Sequence, residues 1–152
     1  MEIKKNASSA KLILEHFKKE ISGKPASINN HNNFKNGLIQ HLENTFHIAN
    51  KYFPNDELLH FMALIHDLGK ARRYYWDGDE PKHTIPNVDH HFNTIVMLYE
   101  YGMKLTQEEL NAIQFHHGGW SPFKGEMSEL GIKLHFCDMM AVNIEKSLAK
   151  LK

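Results

Sequence analysis

Apolar residues recur along most of this chain at intervals of three and four, the spacing that places them on one face of a helix. No alternation of apolar and polar residues is long enough to indicate a sheet. The pattern predicts six helices, over about residues 9–21, 34–53, 56–68, 89–101, 106–117 and from 128 toward the C-terminus. We therefore expect an all-α fold, a single bundle of about six helices.

Local signals mark several helix boundaries. Ser22-Gly23-Lys24-Pro25 ends the first helix, and Asn33 is placed to cap the second. Thr106-Gln-Glu-Glu109 is a capping box that opens the fifth. Residues 74–88 contain Asp-Gly, Glu-Pro and Ile-Pro, which predict a loop of the length often found in lids and binding loops.

Length and composition narrow the classes of protein. A chain of 152 residues fits one domain. The segment that contains the candidate functional motifs covers about residues 34–145, and residues 1–33 form an N-terminal helix and a polar loop. Lys plus Arg and Asp plus Glu number 18 each, so overall charge predicts no membrane or nucleic-acid surface. One cysteine, no signal-peptide core and no long apolar run lead us to expect a cytoplasmic protein.

The stretch Leu64-Ile65-His66-Asp67-Leu68-Gly69-Lys70 carries an apolar run directly into an imidazole and a carboxylate. A carboxylate in an apolar interior costs several kcal/mol unless a partner compensates it. The chain has 12 histidines and one cysteine, so a compensating metal ion would have nitrogen and oxygen ligands. The candidate ligands are His41, His66, Asp67, His90, His91, His116, His117 and Asp138.

Each candidate has a plainer alternative. His41 shares a helix face with core leucines, where a buried structural histidine is common. Asp138 lies in an apolar segment, but it could also occupy the polar stripe of an amphipathic helix. Neighbours on a helix diverge by about 100°, so one member each of His90-His91 and His116-His117 would face a site. The other six histidines are interpreted as surface or packing residues: His16, His31, His47, His60, His83 and His135.

The ordered set of His41, His66-Asp67-Leu68-Gly69-Lys70 and Asp138 resembles the HD-domain superfamily of metal-dependent phosphohydrolases, over about residues 34–145. The chain looks most like two-metal members and is also similar to the HD domain of bacterial 3′→5′ exoribonucleases. Those enzymes carry an OB domain that is not predicted here, so nucleic acid is not the favoured substrate. The Gly-Tyr-Pro signature of cyclic-di-GMP phosphodiesterases is missing as well.

The resemblance implies two divalent transition metal ions, with Mn, Fe, Ni, Co and Zn all open. It assigns the first ion to His41, His66, Asp67 and Asp138. It assigns the second to Asp67 as a bridge, His90 or His91, and His116, with His117 as a further candidate. Lys70 would contact a phosphate oxygen; its alternative is an ordinary lysine at a helix C-terminus.

The expected activity is hydrolysis of a phosphoester in a nucleotide or related small phosphate compound by metal-activated hydroxide. The alternatives are a phosphodiesterase or 3′→5′ nuclease, a di-iron oxygenase of the same fold, and an inactive regulatory domain. Basic and aromatic residues near the doublet could bind phosphates or stack on a base, or could simply belong to a solvated, packed loop. They are Arg72, Arg73, Lys82, Tyr75, Trp76 and Trp120.

Overall fold

The computed structural model describes residues 2–118 and 125–151. Its elements are α1 (Ala7–His16), α2 (Lys18–Ile21), α3 (Gly37–Tyr52), α4 (Glu57–Ile65), a 3-10 helix (Leu68–Arg72), β1 (Tyr74–Asp77), β2 (Glu80–His83), α5 (His90–Tyr101), α6 (Gln107–Phe115) and α7 (Glu129–Ala149). The all-α prediction is confirmed. The one-domain assignment stays a prediction.

Helix α4 lies at the centre of the bundle because it is apolar on nearly every side. Its residues from Leu59 through Ile65 are all buried. Helices α1, α3 and α7 pack against it, and α5 packs against the 3-10 helix that follows it. A short helix of this composition gains its stability from burial on all faces rather than from its own propensity. The end of α4 is therefore held deep in the protein.

The first two predicted helices differ from the structure at their ends. Phe17 leaves helical geometry at φ −96° and ψ 16°, so the predicted helix 9–21 is two helices, α1 and α2. The second predicted helix begins at Gly37, and its N-cap is Asn36 rather than Asn33. Gly37 is required there because a Cβ would lie 2.1 Å from the backbone oxygen of Asn32.

The third predicted helix is shorter than expected. The α-helix ends at Ile65 instead of Leu68, and a 3-10 helix follows a two-residue turn. Lys70 consequently reaches Asp67 through a 3-10 turn, in which its backbone N–H donates to the Asp67 carbonyl at 3.0 Å. The segment is fixed against α5, because a Cβ on Gly69 would lie 2.1 Å from the backbone oxygen of His90.

The loop prediction for residues 74–88 is partly wrong. Strands β1 and β2 form an antiparallel hairpin in which Tyr74 pairs with His83 and Asp77 with Glu80. Gly78 takes φ +64° in the turn, a conformation that glycine adopts at low cost. Each strand has only four residues, too few for alternation to stand out from the turn residues around them.

The remaining boundaries agree with the sequence. The Thr106–Glu109 capping box is present, and the side chains of Asp89 and Ser128 cap α5 and α7. The sequence also predicts a turn over residues 120–126, of which 120–124 lie outside the described residues. Among the helices that the structure describes, none is long and apolar enough to cross a membrane.

Candidate metal centre

Four of the predicted ligands meet at the end of α4. His41 comes from α3, His66 and Asp67 from the turn after α4, and Asp138 from α7, and at most 2% of any of them is exposed. Oδ1 of Asp138 lies 2.9 Å from Nε2 of His41 and 3.4 Å from Nε2 of His66. Oδ2 of Asp67 lies 3.5 and 3.4 Å from the same two nitrogens.

The second oxygen of Asp67 faces a different set of histidines. Its Oδ1 is 3.4 Å from Nε2 of His90 and 3.4 Å from Nε2 of His116. His117 lies beside them, with its Nε2 3.2 Å from Nε2 of His90 and its Nδ1 3.8 Å from Oδ2 of Asp138. Asp67 is thus placed to bridge two neighbouring groups of potential ligands.

His91 lies at the edge of this second group. Its Nδ1 donates to Oδ1 of Asp89 at 2.8 Å, and its ring centroid lies 5.1 Å from that of His116. Ligand atoms of His90, His91 and His117 lie within 4.8 Å of one another. The structure therefore brings both members of each adjacent histidine pair to the site, and His90 and His91 both remain candidates.

Hydrogen bonds to backbone carbonyls orient two of the histidines. Nδ1 of His66 donates to the carbonyl of Ala63 at 2.8 Å, and Nδ1 of His116 donates to the carbonyl of Ile113 at 2.9 Å. With the proton of Nδ1 held by the carbonyl, Nε2 is the ring nitrogen available to a cation. This is the usual arrangement of a metal-ligating histidine.

Several of the converging atoms have no hydrogen-bond partner within the described part of the chain. They are Nε2 of His41, His66 and His116 and both carboxylate oxygens of Asp67, all buried. The separations between these nitrogens and the carboxylate oxygens of Asp67 and Asp138 are electrostatic contacts rather than hydrogen bonds. Buried polar groups are almost always satisfied, so these atoms imply a missing partner. Imidazoles and carboxylates together suit divalent transition metal ions, and the site fits such ions.

Without cations, protons supply the positive charge. Burial lowers the pKa of His66, but the carboxylates of Asp67 and Asp138 outweigh this and raise it to about 9. Burial would raise the pKa of Asp67, whereas Lys70 and His66 hold it well below its usual range. Burial and the charge of neighbouring histidines lower the pKa of His91 to about 4. The carboxylates of Asp67 and Asp138 thus remain ionised, and each needs a cationic partner.

Lys70 belongs to the cluster. It is 5% exposed, and its Nζ lies 3.2 Å from Oδ2 of Asp67. Burial lowers the pKa of Lys70, but Asp67 outweighs burial and raises it. Arg73 is near as well, and its Nη1 donates to Nδ1 of His90 at 2.8 Å.

Three of the other basic and aromatic candidates have partners away from the cluster. Arg72 bonds to Glu20 and Glu100, and Lys82 pairs with Asp77. Nε1 of Trp76 donates to the carbonyl of Gly23 at 2.6 Å, so this ring packs on the N-terminal loop. Tyr75 is 44% exposed on β1. Trp120 lies outside the described residues.

Two residues at the site were not among the predicted candidates. Glu145 contacts the far side of the His41 ring, and His31, interpreted above as a surface or packing residue, donates to Glu145 at 2.6 Å. Glu145 follows Asp138 by seven residues, two helical turns along the same face, and this spacing could have identified it. No local pattern marks His31, because it reaches the site from an irregular loop.

Comparison with known proteins supports the family. The family model described as "HD domain" matches residues 38–142. The dihydroneopterin 2',3'-cyclic phosphate phosphodiesterase of Methanocaldococcus jannaschii is 29% identical over 126 residues, covering 75% of this chain and 49% of that protein. The chain thus spans about half the length of this relative, and no solved structure matches it. Because the matched segment contains every residue of the candidate centre from His41 to Asp138, the chain belongs to the HD-domain family.

Proposed function

We propose that this chain is a metal-dependent hydrolase that cleaves a phosphoester in a nucleotide or another small phosphate compound. The observation that carries the proposal is the position of Asp67, whose two oxygens face two separate groups of histidines. The residues that would hold the first cation are His41, His66, Asp67 and Asp138. Those that would hold the second are Asp67, His116 and either His90 or His91, with His117 available beside them.

Two bound cations would lower the pKa of a coordinated water and neutralise charge on the phosphoryl oxygens. The protein itself would position the ligand side chains around these cations. Asp67 and Asp138 face the imidazoles at the end of α4, and the Nδ1 hydrogen bonds of His66 and His116 keep Nε2 of each ring turned toward the carboxylates. Lys70 keeps an ammonium beside Asp67, from which we expect it to donate to a phosphate oxygen.

A small cyclic phosphodiester is the second candidate substrate. The relative from Methanocaldococcus jannaschii is named for activity on a 2',3'-cyclic phosphate, and it shares 29% identity with this chain. The balance of 18 basic and 18 acidic residues also gives no general attraction for a long polyanion. We therefore rank a small diester above RNA.

The test is a turnover screen with defined metals. Chelator-treated protein is reloaded separately with Mn²⁺, Fe²⁺, Co²⁺, Ni²⁺ or Zn²⁺ and given nucleoside monophosphates or 2',3'-cyclic nucleotides. Phosphate release reports monoester cleavage, and ³¹P NMR detection of the ring-opened monoester reports diester cleavage. We expect turnover that Asp67→Asn abolishes and that Asp79→Asn, in the exposed hairpin turn, leaves unchanged.

Absence of turnover with every metal on both substrate classes would contradict the proposal. Oxygen uptake by the iron-loaded protein, without any phosphate product, would assign the centre to the oxygenase alternative instead.

A further inference from the structure

Glu145 is a buried carboxylate outside the proposed ligand set. It lies on α7, is 5% exposed, and both of its oxygens are 3.0 Å from Nδ1 of His41. Nδ1 of His31 lies 2.6 Å from Oε1, and Nδ2 of Asn44 donates to Oε2 at 2.8 Å. A buried carboxylate with three donors is held in one position.

Two carboxylates of the same helix, α7, contact the two ring nitrogens of His41. Asp138 faces its Nε2 at 2.9 Å, and Glu145, two turns further along α7, faces its Nδ1 at 3.0 Å. A carboxylate can only accept, so Glu145 holds a proton on Nδ1, and the proton that Asp138 attracts to Nε2 in the metal-free protein is the one that a cation would replace. These two contacts on opposite nitrogens fix the plane of the ring, and the Glu145 contact would keep the proton on Nδ1 when a cation binds at Nε2.

This support differs from that of the other oriented histidines. His66 and His116 donate to neutral backbone carbonyls within their own turn of chain. His41 instead donates to a charged side chain from another helix. A carboxylate partner makes an imidazole a stronger ligand than a neutral carbonyl does, so Glu145 would strengthen the first position. His91, a candidate at the second position, has a carboxylate partner of its own in the more exposed Asp89, which does not contact His41.

A third cation between His31, His41 and Glu145 is the competing explanation for this cluster, since their ligand atoms lie within 4.8 Å of one another. It would require His41 to coordinate through both nitrogens and to lose its ring proton entirely. The Nδ1 proton shared with Glu145 needs no such change. The hydrogen-bonded arrangement is therefore the better account.

His31 secures Glu145 from the N-terminal loop. The Ser27 hydroxyl donates to the His31 carbonyl at 2.7 Å, and the backbone N–H of Ala26 donates to the Asn32 carbonyl at 2.9 Å. These bonds close the loop around His31, which is only 8% exposed. The polar loop before α3 is in this way tied to the metal centre.

We infer that Glu145, secured by His31, is a positioning residue that sets the affinity of the first cation through His41. The inference rests on the proposed two-cation centre. It predicts a selective effect: weakening this contact lowers affinity at the first position and leaves the second unchanged. A merely structural role would weaken both positions together or would lower only the melting temperature.

The experiment measures Mn²⁺ binding by isothermal titration calorimetry in two single-site backgrounds. His116→Ala retains the first position, and Asp138→Asn retains the second. Glu145→Gln keeps the shape and an acceptor oxygen but removes the charge. We expect it to lower first-position affinity by about 10- to 100-fold and to leave second-position affinity unchanged. Glu129→Gln is the matched control, because this glutamate is on the same helix and its side chain is 81% exposed.

Equal loss at both positions, or no loss at the first, would overturn the inference. If Glu145→Gln does not fold, His31→Ala provides the same test with Glu145 in place, and we expect a smaller loss confined to the first position. Unchanged Mn²⁺ affinity in that variant would also overturn it. Binding is measured without substrate, so this result is independent of whether the chain hydrolyses phosphoesters.

Discussion

Replacing Asp67 by asparagine tests the centre at its most connected residue. The substitution keeps the shape of the side chain and removes its charge. Asp67 is fully buried, and its oxygens lie within 3.5 Å of nitrogens on His41, His66, His90, His116 and Lys70. We expect the variant to retain neither cation, because Asp67 contributes to both positions.

The metal-free variant should also be less stable. Lys70 would lose its buried partner, and breaking a buried ion pair from one side costs about 3–5 kcal/mol. His66 recovers part of this cost, since its pKa of about 9 depends on the Asp67 carboxylate and its proton can leave once that charge is gone. We therefore expect a loss of about 3 kcal/mol, which corresponds to a fall in Tm of roughly 6–12 °C for a domain of this size.

Differential scanning calorimetry with and without Mn²⁺ separates the two effects. In the wild type, Mn²⁺ at 100 times its Kd adds about 2.7 kcal/mol per site, or roughly 5–11 °C. The variant should show the lower metal-free Tm and no response to Mn²⁺. Asp79→Asn should match the wild type in both measurements. A variant that keeps the wild-type Tm and its Mn²⁺ response would show that Asp67 belongs to no metal centre.

Three further outcomes are expected. Mn²⁺ affinity at the first position, measured by calorimetry, should rise from pH 6.5 to about 9, because the ion there must displace the proton that His66 holds below its pKa of about 9. In the metal-free protein, the protonated His66 stabilises the fold fully below pH 6.5, and this stabilisation is lost as the pH rises toward 9. The rise in Tm that Mn²⁺ induces should therefore grow with pH. A rise that does not depend on pH would contradict this. Gly69→Ala should lower the free energy of unfolding in denaturant by roughly 1–3 kcal/mol and lower Mn²⁺ affinity at the second position. The cause is that the new Cβ would meet backbone atoms of His90 and Thr94 at 2.1 and 2.4 Å. An unfolding curve equal to that of the wild type would refute this close approach. His90→Gln should lower the metal content from two ions to one while His91→Gln does not, because Nε2 of His90 lies 3.4 Å from Asp67 and can bind an ion once Arg73 no longer donates to its Nδ1. The reverse result in elemental analysis would assign the ligand to His91.

What the sequence could predict depends on how local the cause is. The capping box joins Thr106 and Glu109, which are three residues apart, so the sequence alone identifies it. The His66-Asp67 doublet is visible because charge in an apolar run needs a partner. His31 and Glu145 meet across 114 positions, and no periodicity connects them. The hairpin at residues 74–83 was missed because its strands are shorter than any pattern that identifies a strand.

The adjacent pairs of candidate ligands explain how this fold can assemble the proposed centre. Within a helix, neighbouring side chains diverge by about 100°, which would send one member of each pair away. All three pairs lie at helix ends: His66-Asp67 follows Ile65 of α4, His90-His91 begins α5, and His116-His117 follows Phe115 of α6. Asp67 has already left helical geometry, at φ −113° and ψ 18°, and its carboxylate can therefore share a direction with the His66 ring. The helices bury the apolar core along their lengths and present paired polar residues where they stop. Extending α4 by one helical turn would turn Asp67 away from the histidines, so the early end of that helix is itself a requirement of the centre.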